Sequence, residues 1–312
     1  MAFELKVFLL KIPLVNVFVK FLNNVKPKFL EGLSLFDLFS LYITGVAKGA
    51  IGARASAIAY SFFMALFPFL LFIIILIPHI PIDDFQTEFL VFLDSFLPPT
   101  TSDFFYDNIF KNLNENNEDA SIISSVLILS ILLMANGVNA LFAGFENSYH
   151  EQLKRHFIRQ YLFALGIALI IAFLLIFIVA VLGYFNIYVI GNLESYGYIK
   201  ARQIAFWTTL ATYVFFIIMI YIGTATLYYF GTKEGRTTKF FSLGALLTTI
   251  LIIVTSYLFG IYIENFSKYN ELYGSIGALL ILLIYLWINS NILLLGFELN
   301  MSINFIRKRH QK

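Results

Sequence analysis

Six long apolar segments constrain this chain more than any other feature of its sequence. Each is long enough for a helix to cross about 30 Å of hydrocarbon, which takes roughly 20 residues. None of them carries a charged side chain at its centre. The segments lie near residues 55–79, 121–145, 162–190, 204–230, 241–263 and 275–297. The sequence therefore predicts an all-α polytopic membrane protein with six transmembrane helices.

The composition agrees with a membrane protein and excludes some chemistry. Of the 312 residues, 60% are hydrophobic and 13% are charged, whereas a soluble domain is about half apolar and about one quarter charged. A water-soluble fold of this length could not cover so much apolar surface. The chain has no Cys, which excludes disulfides, thiolate metal sites and cysteine nucleophiles.

The basic residues are distributed unequally between the segments that flank the six spans. Four of these segments, all on one predicted face, hold 17 of the 21 Lys and Arg residues: 1–54, 146–161, 231–240 and 298–312. Because Lys and Arg accumulate on the cytoplasmic side, we expect both termini to be cytoplasmic. The predicted organisation is a cytoplasmic N-terminal region 1–54, a transmembrane domain 55–300 and a basic cytoplasmic tail 301–312.

Two regions outside the spans have helical patterns of their own. In the first 21 residues, apolar side chains recur every three or four positions, which predicts an amphipathic interfacial helix bent at Pro13. A second short helix is predicted to begin at Ser34, where Asp37 completes a capping box.

The external connection 80–120 holds nine acidic residues and seven Phe around Pro98 and Pro99. This pattern predicts two amphipathic helices, hinged at the prolines, that rest on the outer surface. Such an acidic loop could bind calcium, but it lacks the Asp-x-Asp-x-Asp-Gly pattern. The composition therefore favours an ordinary acidic external loop.

Three spans place a polar residue seven positions from a charge at the predicted cytoplasmic boundary. Seven residues are about two helical turns, so both members of each set share one helix face. The sets are Arg54 with Ser61 and Pro68, Asn139 with Glu146, and Asn291 with Glu298. One Arg that faces two carboxylates could line a polar cavity, or it could simply tie helix ends together. The sequence leaves both interpretations open.

Amide side chains also interrupt two of the apolar segments. Asn136 and Asn139 lie in the second span, and Asn289 and Asn291 lie in the sixth. A buried amide costs free energy unless it is paired, so these side chains should face other helices or a cavity. Pro68 should kink the first span. The predicted polar cavity comprises Arg54, Ser61, Pro68, Asn136, Asn139, Glu146, Asn289, Asn291 and Glu298.

Four groups of residues resemble motifs of the YihY/BrkB family of membrane proteins. They are Arg-Ala-Ser-Ala-Ile-Ala-Tyr at 54–60 with Phe-Pro at 67–68, the two Asn of the second span, Tyr-Gly-Ser-Ile-Gly-Ala at 273–278, and Leu-Leu-Leu-Gly-Phe-Glu-Leu-Asn at 293–300. The resemblance extends over residues 40–305. Phe297 departs from the pattern, because a small residue is expected before the Glu.

This resemblance implies a six-helix protein of the bacterial inner membrane with a loose link to virulence or serum resistance. Roles in moving lipid or envelope precursors have been suggested for some members. Others have been labelled ribonuclease BN, a name that is generally regarded as misassigned.

Enzymatic activity is not predicted for this chain. It has four His and no H-x-H-x-D-H run, and its densest carboxylates lie in the external connection. It also lacks a glycine-rich phosphate loop and the GxSxG and HExxH motifs. We expect no ribonuclease activity, no cofactor, no bound metal and no nucleic-acid partner.

The basic cytoplasmic segments should instead attract the anionic headgroups of membrane lipids. Association with further copies of the chain is left open. Two functional hypotheses follow. One is a transporter or lipid and envelope-precursor translocator with a cytoplasm-facing polar cavity. The alternative is a non-transporting scaffold or regulator of envelope assembly, which the acidic external loop would suit.

Overall fold

The computed structural model describes residues 23–25, 34–48, 50–76, 120–148, 156–185, 201–232, 239–265 and 275–310. Seven long helices run through these ranges: α1 (Leu35–Lys48), α2 (Ile51–Leu76), α3 (Ala120–Glu146), α4 (Phe157–Tyr184), α5 (Ala201–Gly231), α6 (Leu243–Asn265) and α7 (Ser275–His310). The described part of the chain contains no strand, so the all-α prediction is confirmed. The interfacial helix predicted near the N-terminus and the helical loop at 80–119 lie outside the described residues.

Helices α2 to α7 are each long and apolar enough to cross a membrane, which confirms the six predicted spans. The helices extend beyond the apolar segments at several ends because hydropathy marks the hydrocarbon-embedded part and not the helix limits. The largest difference is at α7, which continues from the predicted limit at 297 to His310. Pro68 lies inside α2, which continues to Leu76, and its predicted kink stays a prediction.

The six spanning helices form a closed ring. Each packs on the next in chain order from α2 to α7, and α7 packs on α2. Contacts across the ring are sparse by comparison. Helix α1, which begins where the sequence predicted, packs against α7.

Small residues allow α2 and α3 to approach closely. A Cβ atom at Gly137 would collide with Ala65, and one at Gly144 would collide with the side chain of Ile58. Small residues on facing helices are the usual means of close packing in lipid, where no hydrophobic force drives helices together. The α2–α3 contact brings the first turn of α2 next to the last turn of α3.

The two halves of the bundle differ in packing. Most described residues at 224–232, 242–249 and 292–306 are buried, including Ser302 and Asn304 in the last turns of α7. By contrast, no side chain at 206–223 of α5 or at 250–262 of α6 is buried. We call these last two segments the far half.

Candidate functional site

A buried ion pair joins α2 to α7. Arg54 Nη2 lies 3.0 Å from Glu298 Oε1, and the side chains are 10% and 0% exposed. The second carboxylate oxygen accepts a 2.9 Å hydrogen bond from Ser148 Oγ. Arg54 Nη1 also donates to the carbonyl oxygen of Gly144 at 2.8 Å. The pair therefore gathers α2, α3 and α7 at one end of the ring, which we call the ion-pair end.

The surroundings of the pair compensate for most of the cost of burying it. A charge in a low-dielectric interior is strongly destabilising unless it is paired and hydrogen-bonded. Both oxygens of Glu298 have donors. One polar atom is left over, because Arg54 Nε is buried without a hydrogen-bond partner.

Aromatic rings fill the middle of the ring at the same end. Phe145 of α3 stacks on Phe297 of α7 with centroids 4.1 Å apart and planes 11° apart. Tyr228 of α5 packs edge-on against both, and Phe142 lies beside Phe145. All four side chains are at most 2% exposed. We call these four side chains the aromatic plug. They come from α3, α5 and α7, which are alternate members of the helix ring, and they therefore close the interior of the bundle.

Hydrogen bonds tie α6 to α7 next to the aromatic plug. Tyr228 Oη donates to the carbonyl of Leu293 at 2.8 Å, and it lies 2.5 Å from Thr248 Oγ1. Because the Tyr228 proton is committed to the carbonyl, Thr248 must donate to Tyr228. One turn further, Asn300 accepts from the Gly244 amide and donates to Ser242 Oγ, both at 2.8 Å.

The α6–α7 contact depends on two glycines. A Cβ atom at Gly296 would collide with Thr248 Oγ1 and the Gly244 carbonyl, and one at Gly244 would collide with the Gly296 carbonyl. The absence of side chains at both positions therefore lets the two helix backbones come together at the ion-pair end.

The three predicted charged residues lie at the ion-pair end, whereas Ser61 and Pro68 lie further along α2. Arg54 and Glu298 are in direct contact, and Glu146 is also buried, in the last turn of α3. Ser61 is half-buried and donates to the Ala57 carbonyl of its own helix. Pro68 is half-buried further along α2.

The predicted amides differ in exposure and in hydrogen bonding. Asn136 is exposed on α3, whereas Asn139 is half-buried with an Oδ1 atom that has no hydrogen-bond partner. Asn289 and Asn291 both donate to carbonyls of their own helix, at Tyr285 and Trp287. The Oδ1 atom of Asn289 is buried and unpaired.

Several residues of the site were not predicted from the sequence. Ser148 follows the apolar segment and has no periodic signal, and Tyr228, Thr248 and Phe145 read as ordinary apolar-helix residues. Asn300 belongs to the motif at 293–300, so its position in that motif was the one available signal. The unusual Phe297 forms part of the aromatic plug.

Helix α1 brings one further polar group towards the ion pair. The pKa of the Tyr42 hydroxyl is raised above its ordinary value of 10.0, first by burial and second by the carboxylate of Glu298. Tyr42 is therefore neutral at physiological pH. Its position links α1 to the charged centre of the site.

An open, mainly apolar groove runs between α2 and α7. Trp287 Nε1 donates to Ser56 Oγ at 3.2 Å within it. Its lining residues are Ser56, Ala59, Tyr60, Leu280, Leu283, Ile284 and Trp287. Among the described residues, no three His, Asp or Glu side chains are grouped to hold a metal ion.

Comparison with known proteins gives a family but no solved structure. The family model described as "Virulence factor BrkB" matches residues 43–312. A putative ribonuclease-like protein, YfkH of Bacillus subtilis (strain 168), is 26% identical over 278 residues, covering 88% of this chain and 96% of YfkH. A UPF0761 membrane protein of Coxiella burnetii (strain Dugway 5J108-111) is 25% identical over 271 residues, with 84% and 91% covered. No solved structure shows significant similarity.

Proposed function

The chain belongs to the BrkB family of membrane proteins, and from this premise we propose that it is a transporter that moves a lipid or envelope precursor across the bacterial inner membrane. The family prediction made from the motifs is confirmed. The observation that carries the proposal is the Arg54–Glu298 pair, which lies buried inside a ring of spanning helices.

A buried ion pair is an inefficient way to stabilise a fold, if stability is its only role. Apolar side chains of similar volume often stabilise a buried site as well as an ion pair does, because they avoid the desolvation cost. Ionisable groups inside membrane helices mark functional sites, substrate pathways among them. The coincidence of the pair with the aromatic plug supports a role in opening and closing the ring.

In the proposed cycle, the structure described here is closed at the ion-pair end. The aromatic plug and the Arg54–Glu298 pair close the interior, while α5 and α6 are loosely packed in the far half. Separation of Arg54 from Glu298 would open a polar cavity at the ion-pair end, lined by both side chains and by Ser148. Alternation between these two states would move the substrate.

The groove between α2 and α7 supports a lipid-like substrate. These are the two helices that the ion pair joins, and the groove faces outward from the ring with a mainly apolar lining. Separation of the pair would let the groove connect with the interior, so that a headgroup could enter the ring while its acyl chains stay in the membrane.

We place the ion-pair end on the cytoplasmic side, with both termini there. The exposed Arg159 lies in the first turn of α4, and the exposed Lys239 lies just before α6, both at this end, as positive charges on the cytoplasmic side should. They would also attract anionic lipid headgroups.

Reporter fusions after residues 155, 235 and 312 should be cytoplasmic, and fusions after residues 115, 195 and 270 should be external. One fusion on the wrong side would overturn this orientation.

The transport proposal is tested with purified protein in liposomes. Phosphatidylglycerol and phosphatidylethanolamine, each with a fluorescent nitrobenzoxadiazole label, are followed as they move between leaflets by quenching with dithionite. We expect the wild type to move at least one probe faster than empty liposomes. Glu298→Gln should reduce this rate about tenfold or more while the variant remains folded.

A matched double variant separates transport from stability. In Arg54→Gln with Glu298→Gln both charges are removed, so thermal stability should recover relative to the single variant. Transport should remain impaired, because the charges themselves are missing. If the double variant recovers both, the pair is only a structural tie. If the wild type moves neither probe, the scaffold hypothesis replaces the transport proposal.

A further inference from the structure

The side-chain oxygen of Asn289 is buried without a donor. Asn289 Nδ2 donates to the Tyr285 carbonyl at 2.8 Å. Because a carbonyl can only accept, the amide nitrogen must face it, and this fixes Oδ1 as the atom that points away. Oδ1 has no hydrogen-bond partner. A buried acceptor of this kind is destabilising unless a donor occupies it.

Asn289 lies on a stripe of α7 along which Tyr285, the Leu293 carbonyl and Asn300 are hydrogen-bonded to α5 or α6. Positions 285, 289, 293, 296 and 300 recur every three or four residues and share one helix face. Tyr285 pairs with Ser256 of α6 at 2.7 Å. The Leu293 carbonyl accepts from Tyr228, and Asn300 accepts from Gly244. We call this face the polar stripe, and Asn289 is its one position that offers an unused acceptor.

The polar stripe is closed on one side of Asn289 and loosely packed on the other. Towards the ion-pair end, Tyr228 and Thr248 close it, followed by the contact of Gly244 with Gly296. Towards the far half, no described side chain at 250–262 of α6 is buried. A ligand that entered from the far half would meet Tyr285 and Ser256 first and Asn289 next.

The chemistry of these groups defines the ligand. Either hydroxyl of the Tyr285–Ser256 pair could be the donor to the other, so one of its protons stays available. Asn289 lies one turn away, about 6 Å along the axis, and offers an acceptor. No charged residue occurs at 203–232, 243–263 or 275–297, so a bound cation would have no counter-charge. A neutral group with two or more hydroxyls fits.

We propose that Asn289, with Tyr285 and Ser256, binds a polyol group, either a free polyol or the polyol headgroup of a lipid. The proposal names the substrate chemistry of the proposed transporter. It rests on the proposed function only where it says that the bound polyol is then transported. The test therefore measures binding and needs no transport.

The experiment uses the purified full chain in detergent, and thermal unfolding is followed with and without added probe. The probes are glycerol and a matched lipid pair, phosphatidylglycerol and phosphatidylethanol, which carry the same charge and differ in the headgroup hydroxyls. The variants are Asn289→Leu and Asn289→Ala. The control is Asn291→Leu, since Asn291 makes the same kind of bond to its own helix.

We expect a polyol probe to raise the unfolding temperature of the wild type and of Asn291→Leu by several degrees more than it raises that of either Asn289 variant. The ligand is a lipid headgroup if this difference between the wild type and the Asn289 variants is larger with phosphatidylglycerol than with phosphatidylethanol. The ligand is a free polyol if the difference appears with glycerol and is the same for the two lipids. The site is refuted if the Asn289 variants respond like Asn291→Leu. The site is also refuted if neither polyol probe raises the unfolding temperature of the wild type more than that of the Asn289 variants. This outcome would refute the site even if the protein moves lipid in the liposome assay.

Discussion

The ion-pair end and the far half use the same helices in different ways. At the ion-pair end, α5, α6 and α7 bury amides, hydroxyls and a carboxylate in specific hydrogen bonds. In the far half, α5 and α6 keep the same apolar composition but no side chain is buried. Because lipid removes the hydrophobic force between helices, packing follows polar contacts and small residues and not hydropathy. Only the ion-pair end supplies both.

The largest difference should appear when the ion pair is broken. Arg54→Leu leaves Glu298 buried without its cationic partner and should cost about 3–5 kcal/mol, measured as thermal unfolding in detergent. Arg159→Ala, at an exposed position of α4, should stay within about 0.5 kcal/mol of the wild type. Equal effects of the two variants would show that Glu298 is solvated and that the ion-pair end is not tightly packed.

The next difference concerns glycines at the two ends of α6 and α7. Gly296→Ala should cost about 3 kcal/mol, at the upper end for overpacking, because its Cβ collides with Thr248 and the Gly244 carbonyl. Gly260→Ala, in the far half, meets no atom within 4 Å and should stabilise the helix by up to about 1 kcal/mol. The fraction of each variant that stays monodisperse after heating, compared with the wild type, gives the direction of both stability changes. A tolerated Gly296→Ala would mean that α6 and α7 can separate without loss.

Much of the fold could be predicted from the sequence, because lipid requires about 20 apolar residues for each span and an internal partner for every backbone polar group. The contact of Arg54 with Glu298 followed partly from helix periodicity. The role of Ser148 could not be predicted. Ser148 follows the end of α3, and no local sequence pattern marks it as the second donor to Glu298. The amides show the same limit. Asn289 and Asn291 have equivalent sequence contexts, and only tertiary packing leaves one oxygen buried and unpaired.

Two tyrosine hydroxyls extend the comparison to single hydrogen bonds. Tyr228→Phe removes the hydroxyl that donates to the Leu293 carbonyl and accepts from Thr248, and it should cost about 1–3 kcal/mol, because both hydrogen bonds are buried. Tyr285→Phe removes one partly buried bond to Ser256 and should cost less than about 1 kcal/mol. Thermal unfolding of both variants gives the order. A larger loss at Tyr285 would place the rigid part of the bundle in the far half.

The smallest effect at neutral pH is expected at Tyr42, which joins α1 to the ion-pair end. Burial and, second, the Glu298 carboxylate raise the pKa of its hydroxyl above 10.0. Above about pH 10, the unfolded chain therefore releases this proton while the folded chain keeps it. Stability must fall as the pH rises from 10 towards the folded pKa, and it is unaffected by this group at lower pH.

Tyr42→Phe should leave unfolding at pH 7 unchanged and should weaken the alkaline loss of stability, measured by unfolding across pH 8 to about 11. Glu298→Gln should weaken the contribution of Tyr42 without abolishing it, because burial is the larger cause of the raised pKa. In a double-variant cycle the two substitutions should therefore couple above pH 10. Independent effects throughout would mean that Tyr42 does not sense the carboxylate. The packing of α1 on α7 would then be separate from the charged site.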